Sequence, residues 1–122
     1  HLIDAFMPRT RRNNTYCKTL SGVSDERIKS VRTIDGLREV FNNDRYHKVN
    51  FEAYSRHRTV EFRQHSGTTN FTKMENWIRF LNGLITFAKR SSLPSRMTLE
   101  GLPFLDGKQK LFFKLRTKKL AV

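Results

Sequence analysis

The sequence predicts an α+β domain, and three patterns carry that prediction. Apolar and polar residues alternate with period two over 47–54 and 59–65, which indicates a β-hairpin. An apolar stripe at helical spacing indicates a long helix over 71–89. Capped apolar segments indicate shorter helices on both sides. The expected architecture is a small antiparallel sheet with a central β-hairpin, packed against three to four helices.

The segment before the hairpin is predicted to hold a loop and two short helices. Pro8 and the Asn13-Asn14 pair favour a loop after the apolar run 2–7. Ser24 and Thr33 each precede an apolar-periodic segment and are good N-cap residues. The residues expected to point inward from these two helices are Ile28, Val31, Ile34, Leu37, Val40 and Phe41.

Within the predicted hairpin, residues 55–58 form the turn, and the side-chain period restricts the register. Only registers whose paired residue numbers sum to an odd value match apolar with apolar residues. The tightest such register has four pairs: Ala53 with Val60, Phe51 with Phe62, Glu52 with Glu61, and Asn50 with Arg63.

The polar face of this register brings two carboxylates together. Side chains directly opposite each other lie about 5 Å apart, so Glu52 and Glu61 would repel. One interpretation is that a cation or a bound ligand lies between them. The other is a solvated face on which Lys48 and Arg63 screen the two acids. The pattern leaves both interpretations open.

The predicted helix over 71–89 begins at a cap, Thr69 or Asn70, and the segment 91–95, with Pro94, ends it. Its apolar stripe is expected to be core. The residues of that stripe are Met74, Trp77, Ile78, Leu81, Leu84, Ile85 and Ala88.

A basic helix is predicted near the C-terminal end, with Asp106 as its N-cap. Its inward residues are expected to be Leu111, Phe112, Leu115 and Leu120. Its basic residues are Lys108, Lys110, Lys114, Arg116, Lys118 and Lys119. This basic face is either a solvated surface or a site for a polyanion.

The charge of the chain favours polyanionic partners. Its 122 residues include 24 Lys and Arg but only 11 Asp and Glu, giving a formal net charge of +13. Such a balance suits nucleotide phosphates, nucleic acid or an acidic protein surface. No apolar run has the length of a membrane span, so no membrane partner is expected.

The single cysteine indicates the cellular compartment in which the chain is expected. Cys17 cannot form an internal disulfide, so a reducing, cytoplasmic location is expected. Nothing local supports Cys17 as a nucleophile, and a buried or otherwise unreactive thiol is the favoured interpretation.

Several common catalytic motifs are absent from the sequence. It contains no Walker-type glycine-rich loop, no dinucleotide fingerprint and no paired-cysteine zinc site. The four histidines lack the spacing that places two zinc ligands on one helix face. These absences exclude sites built on those motifs.

Three segments in order resemble a known family. The first reads Pro-Arg-Thr-Arg-Arg-Asn-Asn-Thr-Tyr-Cys over 8–17, and the second runs from Arg45 to Asn50. The third reads Thr-Val-Glu-Phe-Arg over 59–63, continues to Gly-Thr at 67–68, and precedes a helix containing Trp77-Ile78. Together they resemble the amidoligase family, in the superfamily of glutamine synthetase and glutamate-cysteine ligase. The chain is similar to the C-terminal half of that catalytic domain.

The resemblance implies an ATP- and magnesium-dependent carboxylate-amine ligase. Such enzymes phosphorylate a carboxylate, and an amine then displaces the phosphate to give an amide. It implies that Glu61 is a metal ligand and that Arg63 is a catalytic residue contacting the phosphoryl group or the carboxylate substrate. The residues it implies for binding the nucleotide or substrate are Arg45, Asn50, Arg11 and Arg12.

The chain departs from the family pattern in lacking the segments of the N-terminal half. No strand of alternating acidic metal ligands and no Gly-x-His-x-His type segment occurs in it. The sequence therefore predicts one half-domain over 1–122 that does not complete the ligase reaction alone. It is then a fragment, a half that needs an N-terminal half-domain or a second chain, or a truncated relative.

Two other functions stay open. One hypothesis is that the chain is a truncated, basic protein of a phage or mobile element. It would then bind nucleic acid or a ribonucleoprotein, or act as an inhibitor. Its binding to nucleic acid would fall steeply with salt. A third hypothesis is a partner-binding domain in which the hairpin edges or the helix carrying Trp77 complete a larger assembly.

Overall fold

The computed structural model describes residues 1–93 and 96–121, and these form an α+β structure. Within those ranges there are six α-helices and one two-stranded antiparallel sheet, which confirms the predicted fold class. The backbone forms two compact units. Unit 1 comprises His1–Pro8 and Gly67–Val122, and unit 2 comprises Arg9–Ser66. The expectation of one half-domain over 1–122 stays a prediction.

The elements of unit 2 are all short, whereas unit 1 contains the two longest helices together with one four-residue helix. The helices are α1 (Leu2–Ala5), α2 (Asp25–Ser30), α3 (Ile34–Val40), α4 (Ala53–His57), α5 (Phe71–Ala88) and α6 (Gly107–Leu120). The strands are β1 (Val49–Asn50) and β2 (Glu61–Phe62), and a 3-10 turn covers Arg9–Arg11. Over the described residues, none of these helices combines the length and apolarity that crossing a membrane requires.

The predicted caps of α2 and α3 are confirmed. Ser24 Oγ accepts a hydrogen bond from the Arg27 N–H at 3.3 Å, and Thr33 Oγ1 accepts one from the Gly36 N–H at 3.0 Å. Each satisfies one backbone donor that the first turn of a helix leaves unpaired.

The core of unit 2 forms around the end of α3. Val40 and Phe41 are buried, as predicted. The Phe41 ring stacks on Phe51 at 5.2 Å between centroids and meets His47 edge-on at 5.3 Å. Aromatic contacts of this kind hold the end of α3 against residues on both sides of β1.

The predicted hairpin is too long, and its register is wrong. The observed pairs are Val49 with Phe62 and Asn50 with Glu61. The predicted turn over 55–58 is instead mostly helix α4. Asn50 Oδ1 accepts the Glu52 N–H at 2.9 Å and turns the chain out of the strand. Helix α4 then uses residues that the prediction assigned to the strand and turn.

Unit 1 is built around Phe80, which is buried. Its ring lies 5.4 Å from Phe6, 5.8 Å from Trp77, 5.6 Å from Phe104 and 5.4 Å from Phe113, measured between centroids. Residues from α5 and α6 and from the segments after α1 and before α6 therefore share one aromatic cluster.

The predicted inward face of α5 is only partly right. Trp77 is buried, but Ile78 is 65% exposed and Ile85 is 41% exposed. Phe80 was not in the predicted stripe, yet it lies at the centre of the core. The rings of Phe6, Phe104 and Phe113 pack on Phe80, so this side of the helix faces the core. The Asn70 cap is confirmed, since its Oδ1 accepts the Lys73 N–H at 3.0 Å.

Two predictions about the ends of unit 1's helices have different outcomes. Helix α5 ends at Ala88, within a residue of the predicted end. Pro94 and Ser95, to which the stop was attributed, lie outside the described residues. The Asp106 cap of α6 is confirmed by a reciprocal pair with Gln109.

The predicted inward face of α6 is wrong for two leucines. Leu111 and Leu115 are each 57% exposed, whereas Gln109 and Phe113 are buried. The cap draws the Gln109 side chain back to the Asp106 N–H, and Phe113 follows one turn later against Phe6 and Phe80. The leucines consequently face outward.

We expect Gly83→Ala to destabilise the protein by about 1 kcal/mol, although alanine is normally favoured over glycine inside a helix. A Cβ at Gly83 would lie 2.8 Å from Phe104 Cδ2 and 3.3 Å from Phe104 Cβ, so the packed ring has to move. Chemical denaturation measures the change. Gly107→Ala is the matched control, because its Cβ meets no atom within 4 Å. A more stable Gly83→Ala variant would contradict the expectation.

Candidate functional site

The sheet of unit 2 places a carboxylate between an amide and a guanidinium group. Asn50 lies opposite Glu61, and its Nδ2 donates to Glu61 Oε2 at 3.0 Å. Arg63, two residues along from Glu61, donates from Nη1 to Glu61 Oε1 at 3.0 Å. Each carboxylate oxygen of Glu61 therefore has a donor, and the Glu61–Arg63 pair has a defined orientation.

Arg63 is tied to three other residues of unit 2. Its N–H donates to the Lys48 carbonyl at 2.8 Å, which continues the strand pairing. Its Nε donates to the Tyr16 carbonyl at 3.0 Å, and its own carbonyl accepts from Arg11 Nη2. The loop over 9–17 and the strand that carries Glu61 are thus joined at one residue.

Tyr46 is contacted by both Arg45 and Arg63. The Arg63 guanidinium lies 5.4 Å from the centre of the Tyr46 ring, and the Arg45 guanidinium lies 4.8 Å from it. Arg45 also donates from Nη2 to the Tyr46 hydroxyl. This hydrogen bond raises the pKa of Arg45 above its ordinary value.

A groove of about 400 Å³ lies beside this cluster, entirely within unit 2. Its lining residues are Asn43, Arg45, Asn50, Glu52, Ala53, Ser55, Arg56, His57, Glu61 and Arg63. The structure thus brings together four of the six predicted site residues: Arg45, Asn50, Glu61 and Arg63.

The other two predicted residues have different positions. Neither Arg11 nor Arg12 lines the groove. Arg11 holds the Arg63 carbonyl instead, so it supports the backbone of the site. A role of Arg11 or Arg12 in binding a nucleotide stays a prediction.

The predicted pairing of two carboxylates across the sheet is wrong, because Glu52 is bound by a different residue. Arg38, on α3, donates from Nε to Glu52 Oε1 at 3.0 Å and from Nη2 to Glu52 Oε2 at 2.9 Å. The hydrogen bonds from Arg38 to Glu52 and to Asp35 raise the pKa of Arg38 above its ordinary value. Although Glu52 lines the groove, its charge is matched by this bidentate pair.

The role of Glu61 as a magnesium ligand stays a prediction, and the described part of the chain shows how the nearby carboxylates are already paired. Across residues 1–93 and 96–121, no three His, Cys, Asp or Glu side chains gather into a group able to hold a metal ion. Mg²⁺ takes near-octahedral oxygen ligation. Glu61 is bonded to Asn50 and Arg63, and Glu52 is bonded to Arg38. These residues fit an anion better than a cation.

Several groove-side residues were missed from the sequence. Arg38 binds Glu52, and Tyr46 contacts Arg63, so both depend on contacts between different segments. Arg56 and His57 line the groove from helix α4, which was not predicted. The Asn50 turn was the local signal for α4, since Asn favours hydrogen bonding to the backbone two residues on. Nothing in the sequence signalled the contact of Arg38.

We expect Asp44→Asn to lower stability at neutral pH and to flatten its acid dependence. Hydrogen bonds from Lys18 Nζ and from the Tyr46 N–H hold the pKa of Asp44 below its usual 3.8. A lowered pKa contributes stability that is present above 3.8 and is lost as pH falls through the lower value.

The expected loss at neutral pH is about 0.5 to 1 kcal/mol, because Lys18 is partly exposed. The amide oxygen of the Asp44→Asn variant would still accept the Tyr46 N–H, so the change isolates the charge. Denaturation between pH 2 and pH 7 measures it. Asp25→Asn, at an exposed position, is the control. Equal acid dependence in wild type and Asp44→Asn would contradict the prediction.

Comparison with known protein families gives a match over most of the chain. Residues 2–85 match the family model described as "Putative amidoligase enzyme". No curated protein and no solved structure matches the chain. The matched range includes every residue named above in the groove.

Proposed function

The chain belongs to the amidoligase family, and on that premise we propose that the unit 2 groove binds the phosphate and carboxylate groups of an ATP-dependent carboxylate-amine ligation. In this reaction a carboxylate oxygen attacks the terminal phosphoryl group of ATP and ADP leaves. An amine then attacks the acyl phosphate, and phosphate leaves as the amide forms. Both steps concentrate negative charge on phosphoryl oxygens.

The observation that carries the proposal is the fixed position of Arg63 beside the groove. Glu61 orients its guanidinium, and the Tyr16 carbonyl holds its Nε. A positive group held in place before the anion arrives loses little freedom on binding. Arg45, held against Tyr46, supplies a second positive group to the same groove.

The residues have separate tasks under this proposal. Arg63 contacts the transferring phosphoryl group or the substrate carboxylate, and Arg45 contacts the nucleotide phosphates. Asn50 holds Glu61, and Glu61 holds Arg63. Arg38 neutralises Glu52, so the groove has little net repulsion toward anions.

Magnesium enters the proposal through Glu61 together with ligands from outside the groove. Bound magnesium would neutralise charge on the phosphates during transfer. Glu61 alone does not supply its coordination. We therefore propose that an N-terminal half-domain or a second chain contributes the remaining ligands, and that Glu61 joins them there.

Calorimetry with ATP at low ionic strength tests the anion-binding part. Arg45→Gln should weaken ATP binding roughly fivefold, because a partly solvated contact to phosphate is lost. Arg79→Gln is the matched control, since it removes one positive charge from the exposed face of α5. Absence of ATP binding by the wild type, or equal losses in the two variants, would overturn the proposal.

Glu61→Gln tests the part concerning magnesium. For this chain alone, we expect ATP affinity to rise roughly twofold to fivefold, because a negative charge beside Arg63 is removed. We also expect the variant and the wild type to respond alike to added magnesium. If magnesium strengthens ATP binding by the wild type and Glu61→Gln abolishes that gain, this chain holds the metal by itself.

A second candidate function, nucleic-acid binding, is favoured by the surface of α6. Lys108, Lys114, Lys118 and Lys119 are exposed on this helix, and the helix contains no acidic residue. Replacing Lys118 and Lys119 by Gln should weaken RNA binding and reduce its salt dependence while leaving ATP binding unchanged. RNA binding that is indifferent to this change would remove the candidate.

A further inference from the structure

Tyr16 is an exposed aromatic residue held in a fixed turn. The residue is 60% exposed, although its neighbour Cys17 is fully buried. Asn14 and Cys17 form a two-bond bridge around it, and Asn14 Oδ1 accepts the Tyr16 N–H at 2.8 Å. The backbone therefore presents the ring to solvent in a defined orientation.

The same turn is connected directly to the anion-binding cluster. Arg63 Nε donates to the Tyr16 carbonyl at 3.0 Å. The Tyr16 ring meets the Tyr46 ring edge-on at 5.4 Å between centroids, and Tyr46 is the ring that Arg45 and Arg63 contact. Tyr16 is thus bonded to Arg63 through its carbonyl, and its ring contacts the same Tyr46 ring as both guanidinium groups.

This arrangement pairs a flat apolar face with neighbouring positive charges. Tyr16 remains 60% exposed although its ring packs edge-on with Tyr46. Aromatic side chains beside a positively charged groove are the usual platform for nucleobases, since every base has a π face and is followed by phosphate. A carboxylate group has no aromatic face that could stack on the Tyr16 ring.

We propose that the Tyr16 ring stacks on the base of the nucleotide whose phosphates lie at Arg45 and Arg63. This assignment rests on the proposed function, in which the groove binds the phosphates, and it adds a binding site for the base. It makes Tyr16 a binding residue that distinguishes a nucleoside triphosphate from an inorganic polyphosphate.

The test compares ATP with inorganic tripolyphosphate, which has the phosphates but lacks the base. By calorimetry at low ionic strength, the wild type should bind ATP roughly 5- to 100-fold more tightly than tripolyphosphate, as expected for one stacked base. Tyr16→Leu should reduce this preference to within about twofold and leave tripolyphosphate affinity unchanged. Tyr16→Phe should preserve the preference, because stacking needs the ring and not the hydroxyl.

Phe71→Leu is the matched control, because Phe71 is also an exposed aromatic residue but lies on α5 in unit 1. It should leave both affinities unchanged. Thermal denaturation of each variant checks that the fold is retained. A Tyr16→Leu protein that keeps the wild-type preference for ATP would overturn the stacking role while leaving the groove proposal intact. Failure of the wild type to bind either ligand would overturn both.

Discussion

Phe80→Ala is expected to lower the free energy of unfolding by about 3 to 5 kcal/mol, which approaches the whole stability of many small domains. The Phe80 ring is buried and contacts aromatic rings from α5, α6 and the segments after α1 and before α6. Removing it leaves a cavity at the point where these elements meet. Their packing cannot close around an alanine without moving several large rings.

Trp77 makes this loss measurable within unit 1. It is the single tryptophan of the chain, and its indole stacks on Phe80 at 5.8 Å, so its fluorescence follows the integrity of that core. Urea denaturation should show a lower midpoint for Phe80→Ala. Phe71→Ala changes the same residue type on the same helix at a position that is 71% exposed, and should cost less than about 0.5 kcal/mol. Similar losses in the two variants would contradict the assigned core.

Arg63→Gln is the second change with a large expected effect, here on anion binding. We expect ATP and tripolyphosphate affinities to fall about 10- to 100-fold, as for loss of a charge-assisted hydrogen bond. The variant also leaves Glu61 without its cation, so an uncompensated carboxylate would then face the incoming phosphate. The loss should therefore exceed that of Arg45→Gln.

Two further variants give this prediction its controls. Arg63→Lys keeps the charge but cannot bond Glu61 and the Tyr16 carbonyl in the same planar arrangement, so it should recover only part of the affinity. Glu61→Gln combined with Arg63→Gln should bind better than Arg63→Gln alone, because the unpaired carboxylate is gone. Wild-type affinity in Arg63→Gln would show that the anion binds elsewhere.

The helix starts were predictable because they depend on short-range chemistry. Ser24, Thr33, Asn70 and Asp106 each cap the helix expected of them. A cap needs only one side-chain oxygen and an N–H two or three residues ahead. No distant part of the chain is required for that interaction, so the sequence alone contains the information.

The helix faces were less predictable because they depend on what packs against them. Phe104 lies far along the chain from α5, yet it contacts Gly83 and the Phe80 ring and so helps to set which side of the helix is buried. In α6, the leucines at 111 and 115 have the expected spacing, but Phe113 makes the contacts. The periodicity of a sequence shows that a helix has an apolar stripe, whereas the segments packed against the helix decide which of its side chains are buried.

The sequence predicted that Asn50, Glu61 and Arg63 share a face, but it did not predict the contact between Glu52 and Arg38. Glu61 and Arg63 share a face because strand residues two apart always do, and Asn50 joins them even though the predicted register is wrong by two residues. A shift of two preserves the face, whereas a shift of one would have reversed it. Glu52 was misplaced because its partner Arg38 comes from another element.

The burial of Cys17 provides an internal reporter of opening at the site. Its Sγ donates to the Arg11 carbonyl at 3.1 Å and approaches the Arg63 carbonyl at 3.5 Å, and it is the only cysteine of the chain. Because the thiol is inaccessible when the loop is closed, a thiol reagent should modify it only as fast as unit 2 locally unfolds.

The labelling rate would therefore measure how often the loop over 9–17 detaches from the strand. A ligand that binds Arg63 should slow that rate in proportion to its occupancy. Rapid stoichiometric labelling of the unliganded native protein would mean that the loop is open for much of the time.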